Sequence, residues 1–130
     1  MNRPTSPPGQ RPVFLNLFRI SFPVTAILSI MHRLMGVAMV LALPLVIYIF
    51  GLSLSGEQGW QTSLSILAHP LSKLFIFLLL WSLIHHLLAG IRFLLIDIEW
   101  GVSKSAARAS AWFINIAAII VTLILAWRLL

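Results

Sequence analysis

The chain has 130 residues, 60% of them hydrophobic and 9% charged, with a formal net charge of +6 and no cysteine. Soluble domains average about a quarter charged residues, so this composition belongs in a bilayer and leaves no length for a soluble catalytic or nucleotide-binding domain. The absent thiols exclude disulfides, thiolate-held iron–sulfur clusters and haem attached through cysteine, so any metal centre must use histidine.

Taken in chain order, residues 1–23 form an N-terminal arm interrupted by Pro4, Pro7, Pro8 and Pro12. Fixed φ angles and missing donors favour an extended tail, and the prolines argue against a cleaved signal. Residues 24–130 form one transmembrane domain of three helices, which makes the fold class all-α membrane protein. The first helix is expected over about 24–50, with Thr25 near its start, Pro44 able to kink it and "GLSLSGEQG" ending it. The second is expected over 70–98, since Pro70 suits a first helical turn, after which Gly101 and Ser103 loosen the chain. The third covers 106–129 and is rich in alanine, which lets a neighbour approach closely and gives it a packing role. Two short loops join them. Leu34–Gly56, Leu74–Ile91 and Ala109–Trp127 contain no Lys, Arg, Asp or Glu. Each approaches or exceeds the roughly 18 to 20 residues that cross the hydrocarbon.

Basic residues set the orientation. Arg3, Arg11, Arg19, Arg33, Arg92, Lys104 and Arg108 fall on one side, against Lys73 and Arg128 on the other. The bias of Lys and Arg toward cytoplasmic loops predicts a cytoplasmic N-terminus and a periplasmic C-terminus. A nucleic-acid surface would interleave aromatics with a longer basic run, so the expected partner is the lipid bilayer and not nucleic acid.

Polar residues on the apolar helices are where chemistry would sit. Ser29, His32 and Arg33 fall at i, i+3 and i+4 and share one face within about a turn of the membrane boundary. One reading is an interfacial anchor with a snorkelling arginine; the other is a site for an amphiphile with a polar head, such as a quinone. On the second helix His86, Gly90, Phe93 and Asp97 follow one stripe at about 100° per residue. Gly90 removes a side chain one turn from His86, clearance that a flat cofactor ligated by the imidazole would need. Arg92 lies about 9 Å further along the axis, within reach of groups hanging from such a cofactor. His85 points about 100° away, on the Arg92 face. Either histidine can instead serve as a hydrogen bond between helices. His69, in "AHPL", reads as a solvated loop residue.

The segments "SFPVTAILSIMHRLMG" and "HLLAGIRFLLID", with "RPV" in the arm, resemble the membrane-anchoring cytochrome b subunit of succinate dehydrogenase, also called succinate:quinone oxidoreductase or complex II. The likeness covers nearly the whole chain. It rests on S-x-x-H-R-x-x-G from Ser29 to Gly36 and H-x-x-x-G-I-R from His86 to Arg92, followed by Asp97. Met35, Phe93 and Ile96 depart from common family choices, and Phe93 cannot hydrogen-bond a propionate.

The resemblance implies that His86 is one axial ligand of a haem b iron, the other coming from a second membrane-anchor subunit. It implies that Ser29 and Arg33 belong to a ubiquinone pocket, and that His32, Arg33 and Arg92 approach the haem propionates. FAD and iron–sulfur clusters would reside in partner flavoprotein and iron–sulfur subunits, making this chain a non-catalytic subunit in a bacterial inner membrane. A fumarate reductase anchor is the alternative within the class. A cofactor-free helical scaffold or transport component is the alternative outside it.

Overall fold

The computed structural model describes residues 21–130, and these form helices with no strand. The arm with Arg3, Arg11 and Arg19 lies, but for residues 21–23, outside the described residues. Helix α1 spans Val24–Ser53, α2 Glu57–Ala68, α3 Pro70–Asp97 and α4 Lys104–Leu129. Helices α1, α3 and α4, of 30, 28 and 26 residues, are each long and apolar enough to cross a membrane. At about 1.5 Å per residue the shortest reaches about 39 Å, more than the hydrocarbon requires.

Helix α1 runs unbroken through Pro44 and ends three residues later than its sequence pattern suggests. Hydroxyls explain the extra turn. Ser53 Oγ donates to the Phe50 carbonyl (2.6 Å) and Ser55 Oγ to the Leu52 carbonyl (2.7 Å), satisfying groups that a helix end leaves unpaired.

Helix α2 replaces most of the expected first loop. Gly56, at φ 98°, redirects the chain in a region that favours glycine, and Glu57 then sits in the first turn, where the helix dipole favours an anion. Gln61 Nε2 donates to Glu57 Oε1 at 2.8 Å. Twelve residues reach only about 18 Å, so α2 packs on α1 and α3 without spanning. The crossing requires Gly59, because any Cβ there would collide with the Leu52 carbonyl and Ser55 hydroxyl. Ser63 is buried beside it and donates to the Gly59 carbonyl at 2.7 Å. An apolar cavity of about 680 Å³ opens between the three helices, lined by Phe50, Trp60, Leu64 and Phe75 among others. His69 joins α2 to α3. It is exposed, as expected of a loop residue, yet its Nδ1 accepts from the Leu71 amide (3.2 Å) and so caps α3 ahead of Pro70.

Small residues mark where the spans meet. Ala89, Ala111 and Ala118 are completely buried, and Ala89 and Ala111 cluster with Val24, Leu28 and Ile114. In lipid the gain comes from close backbone approach and dispersion, so alanine at a crossing contributes more than bulk would. Large side chains point outward instead: Leu41, Phe113 and Trp127 are among the most exposed. Lys73 Nζ donates to the Leu130 carbonyl at 2.7 Å, fixing the start of α3 beside the end of the antiparallel α4.

The α3–α4 connection is ordered by backbone bonds where the sequence suggests looseness. Trp100 N donates to the Leu95 carbonyl and Glu99 N to the Ile96 carbonyl, both at 2.9 Å. This is the Schellman pattern. Ser103 then caps α4 by accepting from the Ala106 amide (3.3 Å), starting the helix two residues earlier than expected. The pattern's left-handed position is held by Glu99 at φ 63°, where glycine is usual. A left-handed L-residue costs about 1–2 kcal/mol. Glu99→Gly should therefore stabilise the protein by about 1 kcal/mol, checked as a rise in the thermal midpoint. A fall would show that the carboxylate contributes more than the backbone loses.

Candidate functional site

Helix α3 carries two polar faces, and they serve different neighbours. Toward α1, the His86 ring stacks on the His32 ring with centroids 3.9 Å apart and planes within 14°. His86 Nδ1 lies 3.0 Å from the His32 carbonyl oxygen. A carbonyl only accepts, so Nδ1 carries the proton and donates, which leaves the Nε2 lone pair available. Phe93 meets the other side of His32 edge-on at 5.2 Å.

Two glycines make this approach possible. A Cβ on Gly36 would stand 3.0 Å from His86 Cε1, and one on Gly90 would stand 3.5 Å from His32 Nε2. The glycine of each motif thus faces the histidine of the other. Gly90, expected to clear space for a cofactor beside His86, instead accommodates His32; the clearance beside His86 belongs to Gly36.

Ser29 and Arg33 lie on the same flank of α1. Taking the buried Leu28 as origin, His32, Gly36, Ser29 and Arg33 follow at about 40°, 80°, 100° and 140° around the helix. Ser29 is half-buried and Arg33 exposed, so a hydroxyl and a guanidinium lie on the same flank of α1 as His32, which stacks on His86. The structure therefore brings Ser29, His32, Arg33 and His86 to one side of the bundle.

It does not bring Arg92 there. Arg92 is buried toward α4, where its Nε donates to Ser110 Oγ (2.9 Å) and its Nη2 to the Ala107 carbonyl (2.9 Å). His85 shares that face and is also buried, with its Nε2 3.1 Å from Asn115 Oδ1. Asn115 Nδ2 donates to the Ala111 carbonyl at 3.0 Å, which turns its oxygen toward the histidine and makes His85 Nε2 the donor. Thr122 completes the seam, donating to the Ala118 carbonyl at 2.6 Å. Helix α4 thus does more than pack through small residues. The signal was present in the sequence: an amide in the middle of a charge-free run has to find a partner.

The seam gives a measurable expectation. Asn115→Leu strips a buried imidazole of its only hydrogen-bond partner among the described residues and should cost about 1–2 kcal/mol, while His85→Phe with Asn115→Leu should recover much of that loss. Thermal unfolding of the two single variants and the double one forms the cycle. Strictly additive effects would mean that the two side chains are uncoupled.

Among the described residues no group of three or more His, Cys, Asp or Glu side chains is assembled that could hold a metal ion. What this flank offers is the oriented His86 imidazole, with the His32 ring stacked on it and a hydroxyl and a guanidinium on the same side of α1, inside a bundle of membrane-spanning helices. That defines a multi-pass membrane protein with an oriented imidazole on offer. The sequence comparisons make the class specific. A family model described as "Succinate dehydrogenase/Fumarate reductase transmembrane subunit" matches residues 7–125. A succinate dehydrogenase cytochrome b556 subunit of Coxiella burnetii is 33% identical over 113 residues, covering 86% of this chain and 90% of that one. Proteins of the same description in Rickettsia felis and Rickettsia prowazekii are each 28% identical over 123 residues, covering 95% of this chain and 90% of theirs. The chain belongs to the succinate dehydrogenase/fumarate reductase transmembrane subunit family.

Proposed function

We propose that this chain is the membrane-anchoring haem b subunit of a succinate:quinone oxidoreductase, giving His86 as one axial ligand and forming part of the site where ubiquinone is reduced. The observation that carries the reading is the His86 tautomer. With Nδ1–H held by the His32 carbonyl, Nε2 presents a lone pair, and metal-ligating histidines in general are oriented by such a bond on the other ring nitrogen. A haem b bound there would supply one-electron exchange at an iron whose potential depends on its axial ligands and surroundings. With Arg92 engaged on α4, the polar groups left to face propionates are the His32 imidazole and the Arg33 guanidinium.

Ser29 and Arg33 hold the quinone head. The hydroxyl and the guanidinium on this flank of α1 donate to a carbonyl oxygen. The second axial ligand comes from another membrane subunit, and FAD and iron–sulfur clusters from a flavoprotein and an iron–sulfur subunit. The three relatives named above are all called succinate dehydrogenase subunits, which supports succinate oxidation over fumarate reduction. Purifying the complex tests the reading at once: a reduced-minus-oxidised b-type spectrum and co-purifying soluble subunits are expected, and a complex without haem overturns it.

The orientation we propose has the N-terminus cytoplasmic, in a bacterial inner membrane. Its support is the charge at the two ends of the bundle, with Arg33, Arg92, Lys104 and Arg108 toward one and Lys73 and Arg128 toward the other. Because the chain has no cysteine, single thiols report directly. Ser105→Cys should react with an impermeant maleimide only after the membrane is opened, and Gln58→Cys should react in intact cells. The reverse pattern inverts the subunit.

A further inference from the structure

We propose that the wedge between the N-terminal ends of α1 and α4 binds the phosphate headgroup of an anionic phospholipid. The wedge is a cavity of about 680 Å³, lined by Thr25, Lys104 and Arg108 on its polar side and by Phe22, Ile27 and Trp112 on its apolar side. Ser29, His32, Arg33 and His86 are not among its lining residues.

Charge and shape together select the occupant. Lys104 and Arg108 stand one turn apart on α4 and project from the same face. None of the chain's three acidic residues, Glu57, Asp97 and Glu99, lines the cavity, so the cations face it without a carboxylate among the lining groups. Helix α1 begins beside them at Pro23 with no side-chain cap, adding first-turn donors and the positive end of its dipole. A free anion would match these groups and leave Phe22 (46% exposed), Ile27 (46%) and Trp112 (55%) bare. An amphiphile covers both. Residues 1–20 carry three arginines and no acid, so charge disfavours the chain's own arm as occupant.

Depth fits as well. Trp112 is eight residues into α4, about 12 Å from its start, near the level where tryptophan concentrates at a membrane boundary. Basic pockets between transmembrane helices recognise anionic lipid headgroups, each Lys or Arg adding to the attraction.

The test uses the intact complex, delipidated in detergent and titrated in native mass spectrometry with phosphatidylglycerol, phosphatidylcholine or inorganic phosphate. Phosphatidylglycerol should bind in preference to phosphatidylcholine, and Lys104→Gln with Arg108→Gln should weaken it roughly tenfold, while Arg128→Gln at the opposite end leaves it unchanged. Inorganic phosphate binding as well as the lipid would overturn the proposal, and so would loss of a protein subunit, with lipid binding intact, in the double variant. A diazirine-bearing phosphatidylglycerol on the wild-type complex locates the site without any variant. Crosslinks within residues 22–27 and 104–112 are expected, and their absence from both segments sinks the idea.

Discussion

Changing His86 to leucine should remove the b-type absorption of the assembled complex, whereas His85→Leu should leave the band in place. The two residues are neighbours in sequence and chemically identical, so composition cannot separate them; their partners do. His86 faces α1 with a free Nε2, while His85 spends its Nε2 on Asn115. Leucine roughly keeps the side-chain volume at each site, so the spectrum of the assembled fraction reports on ligation. The expected effect is near-complete loss of the haem band for His86→Leu, with the complex still detectable through its soluble subunits. For His85→Leu a loss of stability is expected, because Asn115 Oδ1 loses its donor, yet the haem content of the folded fraction should be unchanged. An intact band in the His86 variant, or a lost one in the His85 variant alone, would reassign the ligand.

The pairing of His32 with His86 adds a condition. Gly36 sits close enough that a new Cβ would press on His86 Cε1, so the ring's position depends on that glycine as well as on the carbonyl that fixes its tautomer. Sequence spacing placed both glycines in motifs but could not say which histidine each one faces, since that depends on the rotation and height of α1 against α3. For Arg92 the spacing does give the His85 face, and what it leaves open is that this face meets Ser110 and Ala107 of α4. Counting along α3 puts it about 9 Å from His86, but the intervening 240° of rotation turns it to α4. Hydropathy alone exposed the three spans, because a run of apolar residues long enough to cross lipid has few other fates. Helix α2 had no comparable signal. Its Ser, Thr and Gly content is poor for a helix, and it exists because Gly59 and Ser63 let it lie against α1.

Replacing Ser29 with alanine or Arg33 with leucine should leave an assembled complex that oxidises succinate with an artificial soluble acceptor at the normal rate but reduces ubiquinone slowly. Quinone reduction places negative charge on the carbonyl oxygens, and a positioned donor stabilises that charge more than mobile water does. Losing one such donor typically costs about 10²-fold in an optimised site; here Arg33 is exposed, so water offsets part of the loss and the smaller end of that range is expected. Ser29 is half-buried and less open to such rescue. Arg33→Lys separates charge from geometry, since an ammonium keeps the cation while losing the planar fork. Partial recovery in that variant identifies Arg33 as a charge on this flank of α1, and no recovery identifies directed donation. If both Ser29→Ala and Arg33→Leu assemble and keep wild-type ubiquinone reduction, the two residues are an interfacial anchor, and the quinone binds on another surface of the complex.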